Sequence, residues 1–412
     1  MINLKFLREN FFECKNKILL KDPAFPVDDL ASLDKHVLLC KEQLDALLCQ
    51  SNVLAKSFSV LKNDLQARAD AVKLSNDIEK KKDEYAQLKN HFDQLYLRCP
   101  NIVFDEVPFG DKNENRIIGQ WGEKPQFSFA PLAHVDLVKN TGVIDFGKAA
   151  EIAKGGFVVY YEQAVDIMNQ LVAFFFAYNR KQNFKKVAVP YVINKTALTA
   201  ASNLPRFEED LFSFADSNLY LIPTSETSLA FLHNDSILSE QELPLRYTCF
   251  TQCFRKEAGG YGANERGLMR IHQFGKVEIF SFCSAENSKK EHDFMLAHVE
   301  GILQLLQLHY RVMLLAAQDC SFASAKTYDI ELWLSGQNQY REVSSISNCT
   351  DYQARRSATR YKKEGDSKTT QLVHTLNGSA LALPRLLIAL FEKYQLSNGK
   401  IDFDAISSLI ED

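Results

Sequence analysis

Cys253-Phe254-Arg255-Lys256-Glu257-Ala258-Gly259 and, after six further residues, Arg266-Gly267-Leu268-Met269-Arg270-Ile271-His272-Gln273-Phe274, leading into Lys276-Val277-Glu278, form the stretch on which the fold turns. The segments on either side, Tyr247 to Phe254 and Val277 to Phe282, alternate apolar and polar residues with the period of half-buried strands. The alternation recurs at Phe212 to Phe214, Leu219 to Ile222, Asp329 to Leu334 and Tyr340 to Ser344, whereas Glu162 to Asn183 reads as an amphipathic helix. Such a rhythm predicts an antiparallel sheet flanked by helices, an α+β class, and not the βαβα alternation of a parallel nucleotide-binding sheet. No P-loop and no G-x-G-x-x-G occurs, so an ATP site in this chain would have to be built on the antiparallel sheet.

Upstream the pattern changes. A heptad runs through Leu30, Leu33, Val37, Cys40, Leu44, Leu47, Ser51, Leu54, Phe58, Leu61 and Leu65, and a second through Ala71, Leu74, Ile78, Lys81, Tyr85, Leu88, Phe92, Leu95 and Cys99, ending at Pro100. Two helices of similar length joined near Asn63 to Asp70 predict an antiparallel coiled-coil hairpin, with Lys81 as the one charged residue in its seam. Turn-rich sequence around Pro108, Gly110, Gly119 and Gly122 then reads as a connector of about 101–130. The expected division is an N-terminal domain at 1–100 and a C-terminal domain at 101–412.

With 412 residues, 46% of them hydrophobic and 24% charged, the composition is that of an ordinary globular protein of two or three domains. A net charge of −4 leaves no global footprint for nucleic acid. The hairpin from Asp28 to Arg98 carries 11 Lys and Arg against 12 Asp and Glu, so contact with RNA would fall to local clusters such as Lys80-Lys81-Lys82, although a charge run on a coiled coil is usually its solvated face. The nine cysteines form no C-x-x-C pair and no His cluster has zinc-ligand spacing, which predicts reduced thiols and no zinc. There is no leader-like N-terminus and no apolar run of about 18 residues, so a cytoplasmic protein without a membrane span is expected.

Three further strings carry chemistry. Ile222-Pro223-Thr224-Ser225-Glu226 precedes the opening stretch; Tyr340-Arg341-Glu342-Val343-Ser344-Ser345-Ile346-Ser347-Asn348 follows it; and Leu376-Asn377-Gly378-Ser379-Ala380-Leu381-Ala382-Leu383-Pro384-Arg385 runs into an apolar segment to Tyr394. An Arg and a Glu two apart on a strand usually mark nothing more than a solvated face. The opening stretch as a whole, however, resembles motif 2 of the class II aminoacyl-tRNA synthetases in the form typical of the seryl enzymes. The last string resembles motif 3, a strand leading into a helix with Pro384 at its first position. Val189-Pro190-Tyr191 is similar to motif 1, and Gln50 to Lys56 and Pro100-Asn101 with Asp105 to Gly110 are similar to the family's arm and connector. The likeness thus spans nearly the whole chain, with 23 residues separating Arg255 from Glu278 and 130 separating it from Arg385.

The resemblance implies a homodimer that activates L-serine with ATP and Mg²⁺ and loads it onto tRNA(Ser). It implies Arg255 and Arg385 as catalytic residues at the α- and γ-phosphates. ATP would be held by Arg255, Lys256, Glu257, Phe274, Glu342, Val343, Ser344, Ser345 and Arg385, with Glu257 on the adenine amino group and Phe274 stacked on the ring. Serine would meet Thr224, Ser225, Glu226, Arg255, Glu278, Asn377 and Ser379, and Glu342 and Ser345 would be oxygen ligands of Mg²⁺. The chain departs from the family's usual residues at Ser225, Thr227, Lys256, Glu265 and Ala380, around Ser321, Ala323 and Ser324, and at Gly156; a left-handed backbone at Ala380 would be strained by its methyl. A zinc-dependent carrier-protein ligase fits less well, because the hairpin is intact and zinc-ligand cysteines are lacking. A non-catalytic coiled-coil paralogue would not need Arg255, Glu257, Glu278, Glu342, Ser345 and Arg385.

Overall fold

A computed structural model gives the fold and describes residues 1–57, 65–257, 267–365 and 368–410. It separates into two compact units, Ile2–Pro100 and Asn101–Asp412 with Met1.

In the first unit, α1 (Val27–Ser57) and α2 (Leu65–Leu97) pair along their length. The heptads explain the pairing: Leu30, Val37, Cys40 and Leu44 of α1 and Ile78 and Phe92 of α2 are buried, and Leu33, Leu47, Leu54, Leu74, Tyr85, Leu88 and Leu95 are half-buried along the same stripe. Phe58 and Leu61 lie outside the described residues. Lys81 sits in the seam without disrupting it, because its ammonium reaches across to Gln43 Oε1 at 2.9 Å and along its own helix to Glu84 at 2.7 Å. At the base of the hairpin, buried Asp34 accepts two hydrogen bonds from Arg8, at 2.6 and 2.8 Å, a bidentate pair that ties down the first helical turn.

The second unit is built on a large sheet. Its strands are β1 (Arg116–Trp121), β2 (Lys185–Lys186), β3 (Leu245–Phe254), β4 (Gln273–Cys283), β5 (Tyr310–Leu314), β6 (Lys326–Leu334), β7 (Gln339–Asn348) and β8 (His374–Ala382). Among the described residues they lie in the order β1-β5-β6-β7-β8-β4-β3-β2, antiparallel except for the short β2–β3 edge pair. Helices α3 (Gln163–Lys181), α4 (Ser288–Leu305) and α5 (Leu383–Lys393) share one apolar core with the sheet, which includes Leu171, Phe175, Val299, Leu386, Val277, Ile279, Ile330, Ile346 and Leu376. Alternation then forces the neighbours of these strand residues, such as Lys276, Glu278, Asp329 and Ser345, onto the other face. Gly378 lets the middle strands close up: a Cβ there would come within 3.3 Å of both Ile279 and Ile346. No helix among the described residues is long and apolar enough to cross a membrane.

Two local readings differ from the observed fold. Phe212 to Phe214 forms no full strand: it pairs in one antiparallel bridge, Ser213 with Tyr220, closed by Leu221 N–H to Phe212 O at 2.9 Å and Phe214 N–H to Leu219 O at 3.1 Å. The turn-rich segment around Gly119 contains β1, an edge strand paired with β5. Its register shifts between Ile117 and Gly119 and its outer residues are exposed, so it lacks the alternation by which strands are recognised.

Candidate active site

The opening stretch folds as two paired strands, β3 and β4, with Cys253 opposite Phe274, Thr251 opposite Lys276 and Cys249 opposite Glu278. Arg255 continues the ladder by donating its backbone N–H to His272 O at 2.9 Å. The connecting residues 258–266, among them Ala258, Gly259, Glu265 and Arg266, lie outside the described residues. Just before them Glu257 takes a left-handed backbone, φ 53°, which costs a non-glycine residue about 1 kcal/mol or more. The bend carries its carboxylate to Arg270, with Oε2 2.7 Å from the guanidinium.

A cleft of about 210 Å³ opens on this face, lined by Arg255, Glu257, Phe274, Glu342, Val343, Ser379 and Arg385 of the expected residues, together with Met269, Arg270 and Lys276. Arg255 anchors its Nε on Pro223 O at 3.2 Å and lays its guanidinium over the Phe274 ring, 5.2 Å from the centroid. Arg385 in the first turn of α5 binds the backbone oxygen of Glu342 at 2.9 Å and lies 3.3 Å from its carboxylate. The cleft is thus lined by four cations, Arg255, Arg270, Lys276 and Arg385, against the carboxylates of Glu257 and Glu342, an arrangement suited to a polyanion and a cation that accompanies it. Lys256 does not line the cleft; its side chain is exposed with its ammonium 6.0 Å from the Phe212 ring.

Lys276 and Ser379 of this lining also border a buried cluster of polar side chains. Thr224 Oγ1 donates to Glu278 Oε2 at 3.0 Å, and Ser379 stands directly across from Glu278 in the β8–β4 ladder. Glu226, at the start of the short helix Glu226–Leu229, accepts from Gln353 at 2.7 Å and Asn377 at 3.0 Å, both on Oε1. Burial of this carboxyl, and then the like charge of Glu278, push it up to about 7, against the pull of the Gln353 hydrogen bond and the cations Lys276 and Arg255. Ser225 and Ser344 face inward: Ser225 is fully buried, and Ser344 donates to Ser379 O at 2.5 Å, locking β7 to β8. Ala380 is buried and is not among the residues with positive φ, so its methyl meets no backbone strain.

Glu342 and Ser345, the expected oxygen donors for a divalent cation, both lie on β7. Ser345 pairs across β7–β6 with Asp329, whose Oδ1 is buried without a hydrogen-bond partner. Burial, and then the nearby Glu342, hold the Asp329 carboxyl well above the usual carboxylate range. An orphaned carboxylate oxygen beside a hydroxyl and a second carboxylate suits a hard cation that takes its remaining ligands from phosphate and water. Among the described residues no group of three or more His, Cys, Asp and Glu is arranged to hold a metal by itself.

Sequence reasoning gave no role to Lys276, Gln353 or Arg270. Lys276 stood in plain view inside the decisive stretch, and its period-2 spacing from Glu278 was the available signal; Gln353 is brought in from 127 residues beyond Glu226 and left none.

Comparison with known proteins finds matches over nearly the whole chain. The family described as tRNA synthetase class II core domain (G, H, P, S and T) matches residues 210–394, and the Seryl-tRNA synthetase N-terminal domain matches residues 1–103. The chain is 39% identical over 414 residues to the serine–tRNA ligase of Desulfotalea psychrophila, covering 97% of each chain. It is also 39% identical to that of Ureaplasma parvum over 413 residues, covering 98% of this chain and 99% of the other. Among solved structures it is similar to a seryl-tRNA synthetase from Pyrococcus horikoshii complexed with ATP, with a TM-score of 0.90, 30% identity and coverage of 100% of this chain and 98% of that one.

Proposed function

The chain belongs to the seryl-tRNA synthetases, and from that premise we propose that it joins L-serine to ATP as seryl-adenylate, releasing pyrophosphate, and then transfers the seryl group to the 3′ end of tRNA(Ser), releasing AMP. The observation that carries the reading is the juxtaposition of a cleft lined by Arg255 and Arg385 with the pocket of Thr224, Glu226, Glu278 and Ser379.

In this reading serine enters the pocket with its ammonium toward Glu226 and Thr224, supported by Asn377 and the Ser225 turn, and its hydroxyl toward Glu278 and Ser379. Buried acceptors for the hydroxyl reject alanine, because each group left unsatisfied costs about 1–3 kcal/mol. The serine carboxylate lies beside Arg255. Its oxygen bonds to the α-phosphorus as the bond to pyrophosphate breaks, and no proton need be moved. Arg255 stabilises the charge that develops on the α-phosphate, and Arg385 grips the γ-phosphate. Glu257 and Phe274 hold the adenine and Val343 lines the nucleotide cleft, Ser344 supports it by fixing β7 to β8, and the Lys256 side chain, outside the cleft, takes no part. Glu342 and Ser345 would hold Mg²⁺, which when bound neutralises charge on the phosphates.

The hairpin contributes none of these residues, and its role is to hold tRNA. Motif 1, around Tyr191, supplies a homodimer contact; Tyr191 and Val192 are both exposed, as an interface between copies requires. The free cysteines suit a reducing cytoplasm.

Serine-dependent exchange of pyrophosphate into ATP by the purified protein tests the reading. Exchange that requires serine is the expected result; none with serine, or exchange driven by another amino acid, overturns it.

A further inference from the structure

Two residues before Glu278, on the same face of β4, stands Lys276, with only 7% of its side chain exposed. An ammonium taken out of water needs partners, and this one has two. Its Nζ lies 2.7 Å from Glu278 Oε2 and donates to Thr224 Oγ1 at 2.9 Å. Thr224 Oγ1 donates to the same Oε2 at 3.0 Å, closing a triangle. Each of these contacts to the carboxylate falls on Oε2, so Oε1 stands outside the triangle. The charged lining of the pocket is then two acids, Glu226 and Glu278, against two cations, Lys276 and Arg255, and Lys276 also draws down the Glu226 carboxyl that burial and Glu278 raise.

We propose that Lys276 is the positioning residue that sets serine specificity: by pinning Oε2 of Glu278 together with Thr224, it presents Oε1 to the hydroxyl of serine. The inference rests on the reading of this pocket as the serine site. It differs from a purely structural role for the ion pair in one respect: the lysine acts on substrate through Glu278, so its removal alters which amino acid is used. Without the ammonium, Glu278 faces Glu226 with no adjacent counter-charge and is no longer aimed, and a substrate lacking the hydroxyl loses less by comparison.

Lys276→Met in the full chain keeps the length of the stem and removes the charge. Serine KM in pyrophosphate exchange should rise by about 10²-fold, ATP KM should stay within about twofold, and the preference for serine over alanine should fall by about tenfold or more. Lys276→Arg should recover part of the serine KM. Because a buried ion pair cut in half can fail to fold, the same change is made in a Glu278→Gln background, where both partners are neutral; there Lys276→Met should alter serine KM by less than about threefold, since the group it acts through is gone. A folded Lys276→Met enzyme with unchanged serine KM and unchanged preference over alanine overturns the inference, as does an effect of about tenfold or more that persists in the Glu278→Gln background. Parent enzyme that exchanges pyrophosphate without any response to serine overturns the function itself, and this inference with it.

Discussion

The hairpin and the sheet face treat charge in opposite ways. Along α1 and α2 the ion pairs Lys41–Asp45 and Lys82–Glu79 are exposed on both sides, and such pairs add little because water screens them and both side chains are already solvated. Even Lys81, placed in the seam, reaches its partners at the rim. On the sheet face Lys276 and Glu278 are 7% and 2% exposed, and Glu226 is held by Gln353 and Asn377. Breaking a buried pair of that kind typically costs about 3–5 kcal/mol, because the survivor is left without water or partner. The difference teaches where burial exacts its cost: apart from the buried Asp34 that Arg8 pairs at its base, the hairpin rests on an apolar stripe with solvated charges, whereas the sheet face keeps charged groups out of water and fixed by partners.

The comparison can be broken most forcefully at the cleft. Arg255→Ala should lower serine-dependent pyrophosphate exchange by about 10²- to 10³-fold, with Arg385→Ala acting in the same direction, while circular dichroism stays that of the parent. Near-normal exchange by either folded variant would mean that the cations do not meet the phosphates.

Removing residues 28–98 behind a short linker tests the other region. Charging of tRNA should fall by about 10²-fold through loss of positioning, while pyrophosphate exchange stays within a few-fold of the parent, because every residue assigned to ATP and serine lies in the sheet unit. A truncated protein that charges tRNA at the full-length rate would reduce the hairpin to a scaffold.

Glu278→Ala should raise serine KM by about 10- to 100-fold, the value of one hydrogen bond to a charged acceptor, with ATP KM little changed. If ATP use suffers equally, the pocket around Glu278 is not the amino-acid site.

A smaller effect follows from Glu226. Its folded carboxyl titrates at about 7, raised from 4.5. An acid whose pKa is raised by folding favours the fold in its protonated form, so its stabilising contribution to the empty protein is complete below about 4.5 and is lost as pH rises through 7. The ammonium of serine instead requires the carboxylate. Serine affinity should therefore weaken as pH falls below about 7, approaching tenfold per unit, and the slope should vanish in Glu226→Gln. A pH-independent serine affinity between pH 5.5 and 7.5 in the parent enzyme would contradict this assignment. Smallest of all, Lys81→Leu in the hairpin should leave pyrophosphate exchange unaltered and raise thermal stability slightly; loss of exchange would show that the two regions are not separable in the way their charge suggests.

What the sequence by itself determined was everything carried by local period. Heptads define a seam whatever the rest of the chain does, since residues 3 and 4 apart share a helix face, and Pro100 ends the second helix near Leu97 because it cannot continue the hydrogen-bond ladder. Alternation in β3 and β4 placed Arg255, Lys276 and Glu278 on a strand pair, and the matched strings named the residues around the cleft. Local pattern failed at β1, where a bulge and an exposed edge erase the period, and overstated Phe212 to Phe214, whose antiparallel pairing with Leu219 to Leu221 is a single bridge. Only the tertiary structure decided the company those residues keep. The contacts Thr224–Glu278, Glu226–Gln353 and Glu226–Asn377 span 54, 127 and 151 residues, and the last exists because β8, which carries Asn377, inserts between β7 and β4. Strand order is set by burial of the whole apolar face against α3, α4 and α5, a sum over many distant residues that no short window contains, and it is this order that stands Ser379 across from Glu278 and Ser345 across from Asp329, one of whose buried oxygens has no partner.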